Sequence, residues 1–166
     1  KDYIKSGNGV LIGHDTINSF QELKEYFNIE IGGVANNKPN WQYGSTTIKV
    51  VRKGSSINFP YELPMGAELT VPFSHISSQA AHGNVWMDFV NVKAGAFPGV
   101  NDQSLTVNNY YNAGGTGNPC YYLTTWNNTA MIQTGSSNCA STPDERKVLA
   151  NTLFYLKQRT KVTSFT

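Results

Sequence analysis

The chain has 166 residues, within the usual size of one domain and long enough to bury a core without metals or many disulfides. Only 14% of the residues are charged, well below the roughly 25% typical of soluble proteins, whereas asparagine alone occurs eighteen times. The net charge of +2 comes from scattered basic residues without a basic stripe, which argues against nucleic-acid binding, and no apolar run approaches the roughly 20 residues that cross a bilayer.

The first predicted strand covers Gly9 to Gly13, where a Gly-rich turn leads into a continuous apolar run. Such runs are typical of strands that are covered on both faces in a parallel sheet. A helix is predicted to begin at Asn18, a preferred N-cap residue, with Gln21 at the capping-box position. The residues before the strand look like the end of a helix, so we hypothesise that an opening strand and helix lie upstream of this sequence. The apolar stripe of the predicted helix comprises Phe20, Leu23 and Phe27.

Three strands are predicted in the middle of the chain, over 45–51, 67–73 and 85–90, because apolar residues there recur with the strand period and Gly or Pro residues separate the segments. Residues 93–119 are rich in Gly, Asn and Pro, and we predict a long surface loop with one short strand at Ser104 to Val107. The sequence contains no internal repeat and no clear boundary, which predicts a single domain over 1–166.

Cys120 and Cys139 flank a predicted hairpin whose two-residue turn is Asn127-Asn128, since Asn tolerates the left-handed backbone that such turns need. This turn would pair Trp126 with Thr129 and leave Cys139 a few residues beyond the position opposite Cys120. We predict a disulfide across the base of the hairpin, which would contribute about 3 kcal/mol. Two free buried thiols are the alternative.

Asn127 also begins the only Asn-x-Ser/Thr sequence in the chain and is therefore a candidate glycosylation site. Together with the disulfide and a polar surface of low charge, it predicts an extracellular or cell-surface location. The N-terminal residues lack the apolar core of a signal peptide, so an export signal is expected to have been removed or to lie upstream.

The final helix is predicted from Pro143 to about Gln158. Thr142 is the N-cap, Pro143 occupies the first helical position, and Glu145 completes a capping box. The helix is expected to lie on the sheet through an apolar stripe that comprises Val148, Leu149, Thr152, Leu153 and Leu156.

Two runs of sequence carry a resemblance to a known superfamily. The run YIKSGNGVLIGHDT has a Gly-rich turn, an apolar strand and a Gly-His tip, and NNTAMIQTGSSNCASTPDERKVLANTLFYL has a hairpin strand, a polar loop and a helix. Both resemble class I glutamine amidotransferase-like domains, especially their ThuA-like branch. The phrases GHDTI and TPDERKVLANTLFYL are also similar to uncharacterised domains in large surface proteins of bacteria and protists.

The resemblance implies an α/β fold with a flavodoxin-like layered sheet, mainly parallel, with an antiparallel C-terminal hairpin and helices on both faces. It does not imply amidotransferase activity. Neither Cys120 nor Cys139 lies in the Gly-x-Cys-x-Gly elbow that holds the amidotransferase nucleophile, and Ser136 stands at about the place of the partner histidine.

The candidate ligand-binding residues are His14, Asp15, His75, Tyr110 and Tyr111. The first two follow a buried strand, so in a parallel sheet they would lie at the carboxyl edge, where open α/β sheets bind ligands. The alternative is that Asp15 or Thr16 only satisfies backbone groups in the turn into the helix at Asn18. His75 could join them in space, but no histidine pair has the spacing of a helical zinc site, so we predict no metal or cofactor. The two tyrosines lie in the polar loop, where core burial is least expected.

The sequence therefore predicts a noncatalytic domain of a larger extracellular protein, which serves adhesion, carbohydrate binding or structural spacing and has a glycan or a cell-surface protein as its partner. The alternative is a ThuA-like hydrolase or isomerase that acts on a sugar-derived substrate through His14, Asp15 and His75. The two hypotheses differ in whether these groups converge on one pocket.

Overall fold

The computed structural model describes residues 1–54, 57–91, 103–134 and 140–160. Strands β1, β3, β4, β6, β7 and β8 form one six-stranded sheet in the order β1-β8-β7-β6-β3-β4, and β2 pairs with β5 in a separate two-stranded sheet. In chain order the strands are β1 (Val10–Gly13), β2 (Ile29–Ile31), β3 (Gln42–Val50), β4 (Glu68–Ser77), β5 (Gln79–Ala81), β6 (Asn84–Val90), β7 (Tyr121–Trp126) and β8 (Thr129–Ile132).

Helices are few, and only two of those in the described residues exceed four residues. They are α1 (Asp2–Lys5), α2 (Thr16–Ser19), α3 (Lys24–Phe27), α4 (Gln103–Asn112) and α5 (Pro143–Arg159), with short 3-10 turns at Gln21–Leu23 and Val34–Asn36. The last helix packs against β1, β4 and β8, and α4 packs against β3. Within the described part of the chain, no helix is long and apolar enough to cross a membrane, in agreement with the prediction of no membrane span.

The predicted flavodoxin-like layered sheet is wrong. Only β1 and β8 pair in parallel, whereas every other strand pair of the described residues is antiparallel. A parallel crossover needs a dozen or more residues and usually an α-helix, but the described residues between β3 and β6 contain no α-helix. The alternating pattern of the middle strands is typical of an antiparallel sheet. In addition, β1 is a half-buried edge strand and is not covered on both faces.

The six-stranded sheet curls so that its two edge strands approach each other. β1 and β4 lie at opposite ends of the strand order. Nevertheless, the ring of His14, directly after β1, lies 4.5 Å from the ring of His75 on β4. The Ser74 hydroxyl also donates a hydrogen bond to the Gln133 carbonyl just beyond β8. Curling therefore brings together residues that the strand order alone would separate.

The three middle strands exist where the alternation predicts them, but β4 contains an irregularity. The pairing of β3 with β4 shifts between Ser45 and Thr47. On β4 the buried residues before the shift have odd numbers, Leu69 and Val71, and those after it have even numbers, Ser74 and Ile76. Pro72 lies at this shift, which suits a residue without an N–H on an edge strand.

Two other predicted elements differ from the structure. The strand predicted at Ser104 to Val107 is wrong, because these residues lie in α4, which runs from Gln103 to Asn112; residues 92–102 are outside the described part. The helix predicted from Asn18 is broken into α2, a 3-10 turn and α3, and its N-cap is Asp15, without a side-chain cap bond. Phe20 is exposed as a result, whereas Phe27 is buried.

The hairpin formed by β7 and β8 confirms the predicted turn. Trp126 pairs with Thr129, and Asn127 has the left-handed φ of +51° that the turn requires. Cys139, the second cysteine of the predicted disulfide, lies outside the described residues.

The start of α5 confirms the predicted N-cap, since the Thr142 hydroxyl accepts a hydrogen bond from the Glu145 N–H at 3.1 Å. The capping box is not completed, because the Glu145 side chain is buried and accepts a bond from the Tyr122 hydroxyl at 3.0 Å. The predicted stripe is partly wrong: Val148, Thr152 and Leu156 are buried, but Leu153 is 56% exposed.

Candidate functional site

The site contains His14, Asp15 and His75, which the curled sheet brings together. His14 follows β1 with a φ of +31°, a backbone conformation that few residues other than glycine adopt. Its N–H donates to the Ile132 carbonyl at 2.9 Å, and its carbonyl lies 3.5 Å from the Gln79 side-chain amide nitrogen, Nε2. The backbone of His14 is therefore held by β8 on one side and by the start of β5 on the other.

A buried polar network lies beneath His14. The Tyr121 hydroxyl donates to Gln79 Oε1 at 2.7 Å, and Gln133 Nε2 donates to the same oxygen at 2.9 Å. All three side chains have no exposed surface. Buried networks in which each donor finds an acceptor make a local structure rigid, so this network positions the backbone that carries His14.

The three candidate side chains are in direct contact. The rings of His14 and His75 meet edge to face at 4.5 Å between centroids, and His14 Nε2 lies 3.1 Å from Asp15 Oδ2. One nitrogen or oxygen atom of each of the three residues lies within 4.8 Å of the others. The three residues therefore converge in space, as the sequence hypothesis requires. Neither histidine, however, lines the cleft that is described below.

The electrostatics of the cluster favour a neutral His75. Burial lowers the pKa of His75 below its ordinary value of 6.5, His14 lowers the pKa further, and Asp15 partly opposes both effects. A neutral imidazole has a nitrogen lone pair that can accept a proton or bind a metal ion. In addition, His14 Nδ1 is buried and has no hydrogen-bond partner in the described part of the chain.

Chemically, the cluster offers two possibilities. Histidine and a neighbouring carboxylate are groups of general acid–base catalysis, and Asp15 fixes the orientation of the His14 ring by accepting from its Nε2. Two imidazoles and one carboxylate are also the ligand types that zinc prefers, so the same three residues could hold a metal ion.

A cleft of about 500 Å³ lies next to this cluster, where the two sheets meet. Asn18 connects the two features, because its side-chain amide donates to the Ser77 carbonyl at 3.0 Å and Ser77 follows His75 by two residues on β4. The residues that line the cleft carry no charge: Asn18, Gln21, Ile31, Gly32, Asn40, Trp41, Gln42, Ser77 and Ser78.

The floor of the cleft is fixed by the turn at Ser78. This residue has a φ of +51° and turns the chain from β4 into β5. Its N–H donates to the Trp41 carbonyl at 2.8 Å, its carbonyl accepts from the Gly32 N–H at 2.7 Å, and its hydroxyl accepts from the Trp41 N–H at 3.1 Å. A side chain at position 32 would collide with the Trp41 ring, so the glycine allows this close approach.

The two candidate tyrosines have different environments. Tyr110 is buried, contrary to the expectation for a loop residue: its ring packs on Trp41, and its hydroxyl donates to Glu30 Oε2 at 3.1 Å and accepts from the Gly117 N–H at 2.7 Å. Tyr111 is 49% exposed, and no hydrogen bond or ring contact connects it to His14 or His75 in the described residues. The structure therefore does not unite the tyrosines with the histidine cluster.

Cys120 is a free thiol in the structure. Burial, together with the nearby Asp88, raises the pKa of Cys120 to about 12, so its thiol stays protonated and is a poor nucleophile. Because Cys139 is outside the described residues, the disulfide stays a prediction. Asn127 is exposed at the tip of the hairpin, where a glycan could be attached without disturbing the core.

Sequence reasoning missed the cleft. Its lining residues come from four separate segments, and each segment has an ordinary local explanation. Asn18 is a preferred N-cap residue, and Ser77-Ser78 is a short polar break that follows a predicted strand. The short polar break between apolar segments was the available signal, but it does not show which other segments come near it.

The chain matches no protein-family model, no curated protein and no solved structure. The resemblance to the glutamine amidotransferase-like superfamily therefore stays a prediction, and the fold that it implied is corrected above.

Proposed function

We propose that this chain is a noncatalytic carbohydrate-binding domain of an extracellular or cell-surface protein, and that the cleft between the two sheets binds the glycan. The observation that carries the proposal is the composition of the cleft. Its nine lining residues include four side-chain amides, two hydroxyls and one indole, without a charged group.

This composition suits a ligand rich in hydroxyl groups. A sugar hydroxyl both donates and accepts hydrogen bonds, and amide side chains offer both functions as well. A charged ligand would find no counter-charge in the lining, and a purely apolar ligand would leave the amides without partners. A neutral saccharide satisfies both constraints, and the low overall charge of the chain avoids nonspecific attraction to polyanions.

The experiment is a glycan-array screen of the purified chain, followed by calorimetric titration with the saccharides that bind. Gln21→Ala and Asn40→Ala remove exposed amides from the lining of the cleft. Both should weaken binding by about 10-fold, as expected for a lost hydrogen bond of about 1.5 kcal/mol, at unchanged stability.

The matched control is Gln158→Ala, which removes an exposed amide from α5, outside the cleft. This variant should bind like the unmodified chain. Absence of saccharide binding, or binding that Gln21→Ala and Asn40→Ala leave unchanged, would refute the proposal.

The convergence of His14, Asp15 and His75 favours a second candidate function, a hydrolase or isomerase of the ThuA-like type that acts on a sugar-derived substrate. In this mechanism His14, Asp15 and His75 together carry the proton transfer. Incubation of the chain with each saccharide that binds, followed by mass spectrometry and NMR, separates the two functions. Turnover that His14→Asn abolishes would support the enzyme, whereas unchanged saccharides would support the binding domain.

A further inference from the structure

We propose that His14, Asp15 and His75 form a binding site for a divalent transition-metal ion of the Zn²⁺ type. The inference goes beyond saccharide binding and uses different residues. It rests on the three side chains, each of which supplies one donor atom, with the donor atoms within 4.8 Å of one another.

One pair of donor atoms has nearly the spacing of a zinc site, and all three lie within 4.8 Å of one another. With metal–ligand bonds of about 2.0–2.2 Å in a tetrahedron, neighbouring ligand atoms lie about 3.3–3.6 Å apart. His14 Nε2 and Asp15 Oδ2 are 3.1 Å apart, and the rings of His14 and His75 are already in contact.

The surroundings of the cluster support a site that is held in place and can be reached. The backbone of His14 is tied to β8 and to the buried Gln79 network, and His75 lies within the long strand β4. The side chain of Asp15 is 51% exposed, so an ion can approach from that side.

Three protein ligands would leave one position on the ion open. Structural zinc sites use four protein ligands, whereas sites with three keep a position for water or a ligand. Since His75 and Ser77 are two residues apart on β4, they point to the same face of the strand, and the open position would lie near the cleft.

The experiment is a calorimetric titration of ZnCl₂ into the tag-free chain after dialysis against EDTA. We expect saturable binding of one ion per chain. Each of His75→Ala and Asp15→Asn should lower the affinity by at least about 10–100-fold, the loss that changes in the outer shell of a metal site already cause. Asp15→Asn keeps the shape of an exposed side chain, so it tests the site even if His75→Ala impairs folding.

The control is His82→Asn, which removes the remaining histidine of the chain. His82 is bonded to Glu30 at 2.8 Å and does not belong to the cluster. The Zn²⁺ affinity of His82→Asn should equal that of the unmodified chain. Zn²⁺ should raise the melting temperature of both of these proteins but not that of Asp15→Asn.

Equal Zn²⁺ affinity in Asp15→Asn and the unmodified chain, or no saturable binding by the folded chain up to about 1 mM, would overturn the proposal. Saccharide titration of the EDTA-dialysed chain keeps the two proposals separate, because the amides of the cleft need no metal ion to bind a saccharide.

Discussion

At the scale of single residues, Asp88 is a partly buried carboxyl group whose environment disfavours its ionised form. Burial raises the pKa of Asp88 from 3.8 to about 6, and the hydrogen bond from the Asn118 side chain at 2.8 Å only partly opposes this effect. Tyr43, Tyr111 and Cys120 lie near enough for Asp88 to raise their pKa values in turn. Ionisation of Asp88 therefore destabilises the folded state.

This environment predicts a specific pH dependence. A group whose pKa is higher in the folded state stabilises the fold below its unfolded pKa, and this stabilisation is lost as the pH rises through the folded pKa. Asp88→Asn should therefore be more stable than the unmodified chain at pH 7, by on the order of 2 kcal/mol, and the difference should disappear near pH 4. Urea unfolding of both proteins at the two pH values measures this difference in unfolding free energy. An equal difference at pH 4 and pH 7 would show that the ionisation of Asp88 does not cause it.

At the scale of elements, α5 shows how a correct helix can be assigned the wrong face. Thr142 and Pro143 set the start of the helix, and these local signals do not depend on the rest of the fold. The buried face, however, includes the polar residues Glu145 and Asn151, which bond to neighbouring segments. A stripe drawn through the apolar residues alone is therefore rotated relative to the buried face of α5. It includes Leu153, which is exposed in the structure.

The two leucines near the end of α5 provide a matched test of this face. Leu156 is 4% exposed and Leu153 is 56% exposed. Leu156→Ala should destabilise the chain by about 2–5 kcal/mol because it leaves a cavity in the core, whereas Leu153→Ala should change the stability by no more than about 0.5 kcal/mol. Chemical denaturation of both variants measures the difference. If Leu153→Ala is the costlier change, α5 packs in the orientation that the apolar stripe predicted.

At the scale of the whole molecule, the curl of the sheet depends on polar contacts as well as on the apolar core. Gln79 follows β4 and accepts hydrogen bonds from Tyr121 on β7 and from Gln133 beyond β8. These bonds connect one edge of the sheet to its other half. Because the three side chains are fully buried, each donor that loses its acceptor remains unpaired.

Removal of the shared acceptor should be costly for this reason. Gln79→Leu leaves the Tyr121 hydroxyl and the Gln133 amide without an acceptor, and we expect a loss of about 1–3 kcal/mol for each. Tyr121→Phe removes one of these donors, so the double variant should be more stable than the sum of the single effects predicts, by at least about 0.5 kcal/mol. Equilibrium unfolding of the four proteins completes the cycle, and additive effects would indicate that the network contributes little.

The sequence by itself determined the features that depend on a few neighbouring residues. The Asn127-Asn128 turn, the cap and start of α5 and the three middle strands follow from backbone preferences and from the alternation of side chains across a strand. It also singled out His14, Asp15 and His75 as a possible group. The tertiary structure decided the strand order, the curl, the exposure of Leu153 and the cleft, because these depend on which distant segments lie side by side. The alternating middle strands also indicated an antiparallel sheet. The continuous apolar run at β1, however, fits an edge strand as well as a central strand, and only the neighbouring strands distinguish the two.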